Sequence, residues 1–317
     1  MLTYILFIVG FYFLIKGASW LVDGASSIAK KFKVSNLVIG LTIVSFGTSA
    51  PELIVNLIAS FQGNSDLAIS NIIGSNISNV LLILGISAII FPLKVKRGTI
   101  FKEIPFSLLA AVALWFLVND NLLEEQSYSA LTRIDGAVLL LFFIIFLYYS
   151  FGIAKVEGEG QDEVKERQTS LSVLMVIGGM LGLALGGHLI VDGAIVIAQK
   201  FGMSESLIGL TIVAIGTSLP ELAASAVAAY KHKSDIAIGN IIGSNVFNVF
   251  WILGLSSFIR PIIFSPILNF DIYFMAIITV VLFLFMFVGK KNILQRWQGV
   301  SMVGIYIIYI VYLINRG

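Results

Sequence analysis

Apolar stretches of nearly 20 residues recur along the whole chain. An α-helix of about that length is what crosses a hydrocarbon layer ~30 Å thick. Hydrophobic residues make up 58% of the 317 residues and charged residues only 12%, about half the charged fraction of a soluble domain. The pattern therefore predicts an all-α integral membrane protein whose surroundings include the lipid bilayer.

Net charge and cysteine content exclude several classes of function. The formal net charge of +2 does not indicate a basic surface, so we expect no nucleic-acid partner. The chain has no cysteine, which excludes disulfides, thiolate metal sites and thiol redox chemistry. The N-terminal segment lacks a basic region and a small-residue cleavage site before its first lysine. We interpret it as a retained first helix rather than a cleaved signal.

Hydropathy predicts ten membrane spans. Their approximate limits are 2–29, 36–60, 66–92, 103–118, 132–152, 171–198, 205–230, 235–258, 268–288 and 297–314. The one long polar stretch, 154–170, mixes both signs of charge. We predict that it is a linker between two five-helix halves, 1–153 and 171–317.

Lysine and arginine are divided unequally between the two sides that ten spans define. Of 20 such residues, fifteen lie in or beside the loops that follow the odd-numbered spans, four lie on the opposite side, and Lys16 lies within the first span. Cytoplasmic loops carry the excess of positive charge. We therefore expect a multi-pass protein of the cell membrane with both termini extracellular and the 154–170 loop in the cytoplasm.

The chain repeats itself at a constant offset of 169 residues. IGLTIVSFGTSAPEL at 39–53 returns as IGLTIVAIGTSLPEL at 208–222, and DLAISNIIGSNISNV at 66–80 returns as DIAIGNIIGSNVFNV at 235–249. The offset spans five predicted helices, an odd number, so the second copy enters the membrane from the opposite side. This predicts inverted-topology repeats with a site near mid-membrane between them. A duplicated scaffold would explain repeated glycines and leucines, but not repeated carboxylates.

A polar stripe interrupts the second span and its repeat. Residues at i, i+3, i+4 and i+7 share one helix face in the first copy: Ser45, Thr48, Ser49 and Glu52. The second copy carries the equivalent set: Ala214, Thr217, Ser218 and Glu221. Burying a glutamate in a membrane costs several kcal/mol unless it is paired, and no basic residue recurs at a matching place. The two glutamates therefore point to function.

Two prolines add backbone oxygens to the stripe. Pro51 has no N–H and its ring clashes with the carbonyl four residues back, so the Gly47 carbonyl loses its helical partner, and Pro220 repeats this effect. Freed carbonyls at membrane depth are tolerated where they line a cavity. The third and eighth spans add amide and hydroxyl oxygens at a spacing of four: Asn71, Ser75 and Asn79, and Asn240, Ser244 and Asn248. This set of hard oxygen donors suits Ca²⁺ or Na⁺ rather than zinc or copper.

The paired motifs GTSAPE and GTSLPE, together with GSNISN and GSNVFN, resemble those of the calcium/cation antiporter superfamily, specifically its sodium/calcium exchanger branch. The resemblance covers nearly the whole chain. It implies a secondary antiporter, not an enzyme, that exchanges sodium for calcium by alternating access and extrudes calcium with the inward sodium gradient. It also implies Ca²⁺ and Na⁺ as transported substrates, no prosthetic group, and a functional monomer.

The same resemblance implies a set of cation ligands around four subsites, one favouring calcium and the others sodium. Glu52 and Glu221 would bridge most subsites. The main-chain carbonyls of Thr48 and Thr217 would face calcium. Sodium would be bound by four serines, with help from two main-chain carbonyls: Ser49, Ser218, Ser75 and Ser244, and the carbonyls of Ser45 and Ala214. Asn79 and Asn248 would complete the centre.

Several readings stay open at the level of the sequence. Related exchangers that depend on potassium carry Asp where this chain has Asn248, so the amide argues against potassium coupling. Calcium/proton exchange is the alternative, although the residues that follow Asn71 and Asn240 differ from the acidic motif typical of it. An intramembrane aspartyl-type enzyme, a cation channel and a structural scaffold are rivals from other classes. The roles of Ser70, Asp23 and Asp192 are not assigned.

A glycine stripe in the sixth span suggests a moving surface. Gly178, Gly182 and Gly186 are spaced by four and predict a smooth face along which the first helix could slide. Close packing without sliding explains the same spacing equally well.

Overall fold

The computed structural model describes residues 2–125, 127–152, 166–200 and 214–316. Within these ranges the protein is almost entirely α-helical, and eight helices are long and apolar enough to cross a membrane. A ninth span consists of two helices that meet at a bend of 48°. The start of the predicted span 205–230 and most of the predicted linker 154–170 lie outside the described residues.

The helices follow the predicted spans closely. In the first copy of the repeat they are α1 (Leu2–Phe32), α2 (Asn36–Thr48), α3 (Ala50–Gln62), α4 (Ser65–Ile90), α5 (Arg97–Leu117) and α6 (Arg133–Gly152). In the second copy they are α7 (Thr169–Lys200), α8 (Ala214–Thr217), α9 (Leu219–Tyr230), α10 (Ser234–Ile259), α11 (Pro266–Phe285) and α12 (Arg296–Arg316). A short helix, Asp120–Glu124, lies between α5 and α6.

Four two-residue strands in the described part of the chain connect the copies. β1 (Leu93–Lys94) pairs antiparallel with β4 (Ile293–Leu294), and β2 (Ala130–Leu131) pairs antiparallel with β3 (Ile262–Ile263). Each sheet therefore joins one strand of the first copy to one strand of the second. β1 follows α4 and β3 follows α10, while β2 precedes α6 and β4 precedes α12. Strands of two residues carry no alternating pattern, which is why the sequence does not predict them.

The first and seventh helices pack antiparallel along glycine contacts. A Cβ atom at Gly17 of α1 would lie 2.7 Å from a main-chain nitrogen of α7, and one at Gly179 would lie 2.8 Å from the Gly17 carbonyl oxygen. Gly182 and Gly186 line the same contact, as predicted. Gly178 does not, because a Cβ there would meet only the Trp20 ring at an ordinary 3.5 Å. The face of α7 that packs closely against α1 therefore includes Gly179 rather than Gly178.

Both proline motifs break a helix at the preceding serine. Between α2 and α3, Ser49 has φ −84° and ψ 6°, and Ser218 before α9 has φ −88° and ψ 3°. Pro51 and Pro220 are the second residues of the new helices, where a missing N–H needs no helical partner. Because of the bends, α3 and α9 begin in the interior of the protein. α4 and α10 lie there too and are the most buried of the described spans.

Among the described residues, three wide π-helical turns lie in the helices around these bends. They span Gly40–Val44, Asn79–Ile83 and Phe247–Leu253. A π-turn shifts the register of the side chains that follow it and is frequent at functional sites. Asn79 begins one of these turns and Asn248 is the second residue of another. Their side chains therefore do not follow the spacing of a regular α-helical face.

Candidate cation-binding site

The two glutamates lie at the starts of the helices that follow the bends. Glu52 is in the first turn of α3 and Glu221 is in the first turn of α9. Each is only 1% exposed, so neither carboxylate faces lipid. The positive end of a helix dipole lies near each acid and partly offsets the cost of its burial.

Each carboxylate accepts a hydrogen bond from a serine of the opposite copy. Ser49 Oγ of the first copy donates to Glu221 Oε1 of the second at 2.9 Å. Ser218 Oγ of the second copy donates to Glu52 Oε1 of the first at 3.5 Å. The two carboxylates also repel each other electrostatically. The bends therefore bring both acids into a single cluster, each within reach of the other copy's motif.

The serines of α4 and α10 join the same cluster. Ser49 Oγ lies 3.0 Å from Ser244 Oγ, and Ser218 Oγ lies 3.3 Å from Ser75 Oγ. Ser244 Oγ also lies 3.4 Å from Glu221 Oε1. All four predicted serines are buried, so their hydroxyl oxygens lie among the carboxylates rather than along the lipid surface.

The residues one turn earlier attach the bends to the neighbouring helices. Thr48 Oγ1 donates to Asn240 Oδ1 at 3.1 Å, and Thr217 Oγ1 lies 3.4 Å from Asn71 Oδ1. Ser45 Oγ donates to the Asn240 carbonyl at 3.0 Å, and the Ser45 carbonyl accepts from the Ser49 amide at 2.9 Å. Their side chains thus attach the bends to the neighbouring helices. Ala214 begins α8, upstream of the second bend.

Two asparagines of α4 and α10 bond across the copies. Asn79 Nδ2 donates to Asn245 Oδ1 at 2.9 Å, and Asn248 Nδ2 donates to Asn76 Oδ1 at 2.9 Å. Their own Oδ1 atoms are buried, and within the described ranges no hydrogen-bond donor reaches them. Both amides therefore turn a nitrogen toward the opposite copy and keep an oxygen available.

Four buried oxygens on the glutamates and on the π-helical turns packed against their helices lack partners among the described residues. They are Glu52 Oε2, Glu221 Oε2, Asn79 Oδ1 and Asn248 Oδ1. A buried polar atom without a partner costs roughly 1–3 kcal/mol, and more when it is charged. Two carboxylate and two amide oxygens, surrounded by serine hydroxyls, are the donors that hard cations prefer. The described part of the chain holds no cluster of three or more His, Cys, Asp or Glu residues that would suit a different metal.

Three residues whose roles the sequence did not assign make no contact with this cluster. Asp23 accepts a hydrogen bond from Lys231 Nζ at 2.8 Å. Asp192 is about half exposed and lies 3.4 Å from His188 on the same helix. Ser70 is exposed, and its hydroxyl lies 3.4 Å from a main-chain oxygen one turn earlier. These contacts are local or interhelical and place the three residues away from the buried acids.

Sequence reasoning missed Asn76 and Asn245. Both are buried and bond the central asparagines of the opposite copy. Each precedes its own central asparagine by three positions, so the two lie on neighbouring parts of one helix face. Their recurrence at the offset of 169 was the available signal.

Known proteins resemble the chain over nearly its whole length. The family model described as sodium/calcium exchanger protein matches residues 2–152 and 171–315. The putative antiporter CaxA of Alkalimonas amylolytica is 40% identical over 313 residues, which cover 95% of each chain. The sodium/calcium exchanger MaX1 of Methanosarcina acetivorans is 31% identical over 348 residues, which cover 98% of each. A solved structure of the sodium-calcium exchanger NCX_Mj superposes with a TM-score of 0.84 and 34% identity, covering 98% of this chain and 99% of that one.

Proposed function

The chain belongs to the sodium/calcium exchanger family, and from that premise we propose that its two buried glutamates bind Ca²⁺ and Na⁺ in alternation. The protein is a secondary antiporter that exchanges sodium for calcium across the membrane. The multi-pass helical fold supplies the span, and the oxygen cluster at the bends supplies a site that both ions can use.

The observation that carries this proposal is that each buried glutamate accepts a hydrogen bond from a serine of the opposite copy. Ser49 bonds Glu221 and Ser218 bonds Glu52, so each half of the site depends on both copies. A relative movement of the copies would change both carboxylates together. Such coupling between ion binding and movement is what an alternating-access antiporter needs.

The ligand roles follow from the donors at each position. Glu52 and Glu221 bind either ion through their carboxylates, while the main-chain carbonyls of Thr48 and Thr217 face calcium. Sodium is bound by the four serine hydroxyls with two main-chain carbonyls: Ser49, Ser75, Ser218 and Ser244, and the carbonyls of Ser45 and Ala214. The available Oδ1 atoms of Asn79 and Asn248 support their place at the centre of the site.

Charge balance gives a physical reason for exchange rather than leak. Two carboxylates ~4 Å apart at an effective dielectric constant near 20 repel by about 4 kcal/mol. Sealing the site from water while it is empty would leave that repulsion unbalanced. One Ca²⁺, or more than one Na⁺, cancels the charge and permits occlusion. The site therefore changes the side of the membrane to which it opens only when ions are bound.

The proposed architecture is ten helices in two inverted repeats, 1–153 and 171–317, joined by a cytoplasmic linker at 154–170. Two features support it. The repeat-related helices α1 and α7 pack antiparallel, and each two-stranded sheet joins one copy to the other. The distribution of lysine and arginine supports extracellular termini. We propose that the monomer is the working unit, because one chain carries both copies of the motif that build the site.

Radioactive calcium flux in proteoliposomes tests the function. An outwardly directed sodium gradient should drive calcium uptake into vesicles, and collapse of that gradient should stop it. In the cell, the inward sodium gradient would then extrude calcium. Glu52→Gln should abolish uptake.

Glu103→Gln is the matched control for this experiment. Glu103 is an equally buried glutamate on α5, and it is bonded by the Tyr149 hydroxyl rather than by the site. It should retain sodium-driven uptake. Uptake that follows a proton gradient instead of sodium would favour calcium/proton exchange, and full transport by Glu52→Gln would overturn the proposal.

A further inference from the structure

Two asparagines outside the ligand set fix the direction of the two central amides. We propose that Asn76 and Asn245 are positioning residues that turn the Oδ1 atoms of Asn248 and Asn79, respectively, toward the bound cation. The inference rests on the proposed function, since it takes Asn79 and Asn248 as cation ligands. It adds a way in which each copy of the repeat controls a ligand of the other.

Main-chain oxygens fix the orientation of the two positioning residues. Asn76 Nδ2 donates to the carbonyl oxygen of Asn245 at 3.2 Å, and Asn245 Nδ2 donates to the carbonyl oxygen of Asn76 at 3.4 Å. A carbonyl oxygen can only accept, so the side-chain atom that faces it must be the nitrogen. The Oδ1 atom of each positioning residue is therefore directed the other way.

These oxygens then fix the ligand amides. Asn245 Oδ1 accepts from Asn79 Nδ2, and Asn76 Oδ1 accepts from Asn248 Nδ2, both at 2.9 Å. An amide oxygen carries no proton, so the group facing it must be an NH₂. The opposite end of each ligand amide is then its oxygen, and in the described structure that oxygen is buried with no donor in reach.

The direction of the amide matters because its two ends are nearly equal in size and opposite in effect. The oxygen attracts a cation, while the NH₂ group carries positive partial charge and repels one. Without Asn245, the Asn79 NH₂ would lose its acceptor, and turning the amide around would cost little. A fraction of the protein would then present nitrogen to the ion, and cation affinity would fall.

A double-mutant cycle separates positioning from simple packing. Asn245→Leu should weaken Ca²⁺ binding roughly tenfold or more, about 1.4 kcal/mol. The same change in an Asn79→Asp background should alter the affinity by less than about twofold, because a carboxylate presents an oxygen in either direction. Affinity is read from the calcium dependence of the melting temperature of the full-length protein in detergent, with the ion-free melting temperature recorded separately.

Asn119→Leu is the matched control for a lost amide pair. Asn119 and Asn269 exchange side-chain hydrogen bonds of 2.9 and 2.8 Å outside the site. That variant should lower the ion-free melting temperature and keep the wild-type calcium affinity. If Asn245→Leu does not fold, Asn76→Leu in wild-type and Asn248→Asp backgrounds provides the symmetric cycle.

Equal losses of affinity in both backgrounds would assign a packing role to Asn245 and overturn the inference. An unchanged affinity in the wild-type background would overturn it as well. Failure of the wild-type protein itself to gain stability from calcium would instead overturn the proposed function, so the two failures can be told apart.

Discussion

Replacing Glu52 by glutamine tests whether the buried acids bind calcium, because the substitution should raise the stability without ions and remove most of the stabilisation by calcium. The substitution keeps the size of the side chain and removes one of two negative charges. Glu52 is almost fully buried and its Oε2 atom has no partner in the described structure. Besides the Ser218 hydroxyl and the positive end of the α3 dipole, the charge therefore has mainly the neighbouring carboxylate and the transported ion to interact with.

Without ions, Glu52→Gln should melt at a higher temperature than the wild type. The change removes a repulsion of about 4 kcal/mol, taken at ~4 Å and an effective dielectric constant near 20. A new amide N–H group without an acceptor offsets roughly 1–3 kcal/mol of that gain. A net stabilisation of about 1–3 kcal/mol remains.

With calcium, the wild type should gain much more stability than the variant. Removing one partner of a buried charge pair costs about 3–5 kcal/mol, or a loss of affinity of roughly 100-fold or more. At a concentration 100 times the wild-type Kd, calcium stabilises the wild type by about 2.7 kcal/mol, while a variant 100-fold weaker gains only about 0.4 kcal/mol. At about 2 °C per kcal/mol, the shifts would be roughly 5 °C against less than 1 °C.

Differential scanning fluorimetry of the full-length protein in detergent, with calcium titrated, is a suitable assay. Glu103→Gln makes the same chemical change at another buried glutamate and should keep the full calcium shift. A wild-type calcium shift in Glu52→Gln would refute the reasoning, because the lost charge would then have played no part in binding.

Three further substitutions test other parts of the structure. Ser49→Ala removes a proposed sodium ligand and should raise the sodium concentration for half-maximal transport roughly 5–10-fold, as for a single hydrogen bond; unchanged sodium dependence in proteoliposome flux would contradict this. Gly179→Leu drives a side chain into the α1 backbone and should cost about 1–3 kcal/mol or more of stability together with transport, whereas Gly178→Leu, its matched control, should be tolerated. Asp23→Asn removes the partly exposed pair with Lys231, which is worth about 1 kcal/mol or less; a tenfold loss of calcium affinity in thermal titration would place Asp23 in the site after all.

The spans and the two acids were readable from the sequence because each depends on local chemistry. Apolar length fixes a membrane helix wherever it packs. Pro51 ends a helix through its own ring and missing N–H, and the bend at Ser49 follows directly. Glu52 and Glu221 share an otherwise apolar setting and a constant offset, which marked both as functional before any contact was known.

The contacts between copies could not be read in the same way, because they depend on how helices from distant parts of the chain fit together. The contact of Ser49 with Ser244 requires α2 and α10 to touch, and Gly243 permits this, since a Cβ there would lie 2.7 Å from the Leu41 carbonyl oxygen. Spacing alone does not reveal that fit. The same limit explains why Asn245 was missed, since its role depends on an asparagine 166 residues away.

The pair of Asp23 and Lys231 shows why contacts between charged residues are hard to predict from the sequence. A glutamate or aspartate near a helix end is usually solvated or caps the helix, so Asp23 carried little signal. Its partners, Lys231 and Lys233, follow α9 and reach α1 only in the folded protein. Burial lowers the pKa of the Lys233 ammonium group and the Asp23 carboxylate opposes that shift, an environment that appears only once the helices have packed.

Equilibrium binding of radioactive calcium to the purified protein, with sodium titrated at constant ionic strength, tests the shared site most directly. If Glu52 and Glu221 hold either ion, sodium should displace calcium completely and with a Hill coefficient above one, while choline at the same concentration should not. Calcium that stays bound at saturating sodium would contradict the account, because the two ions would then occupy separate sites.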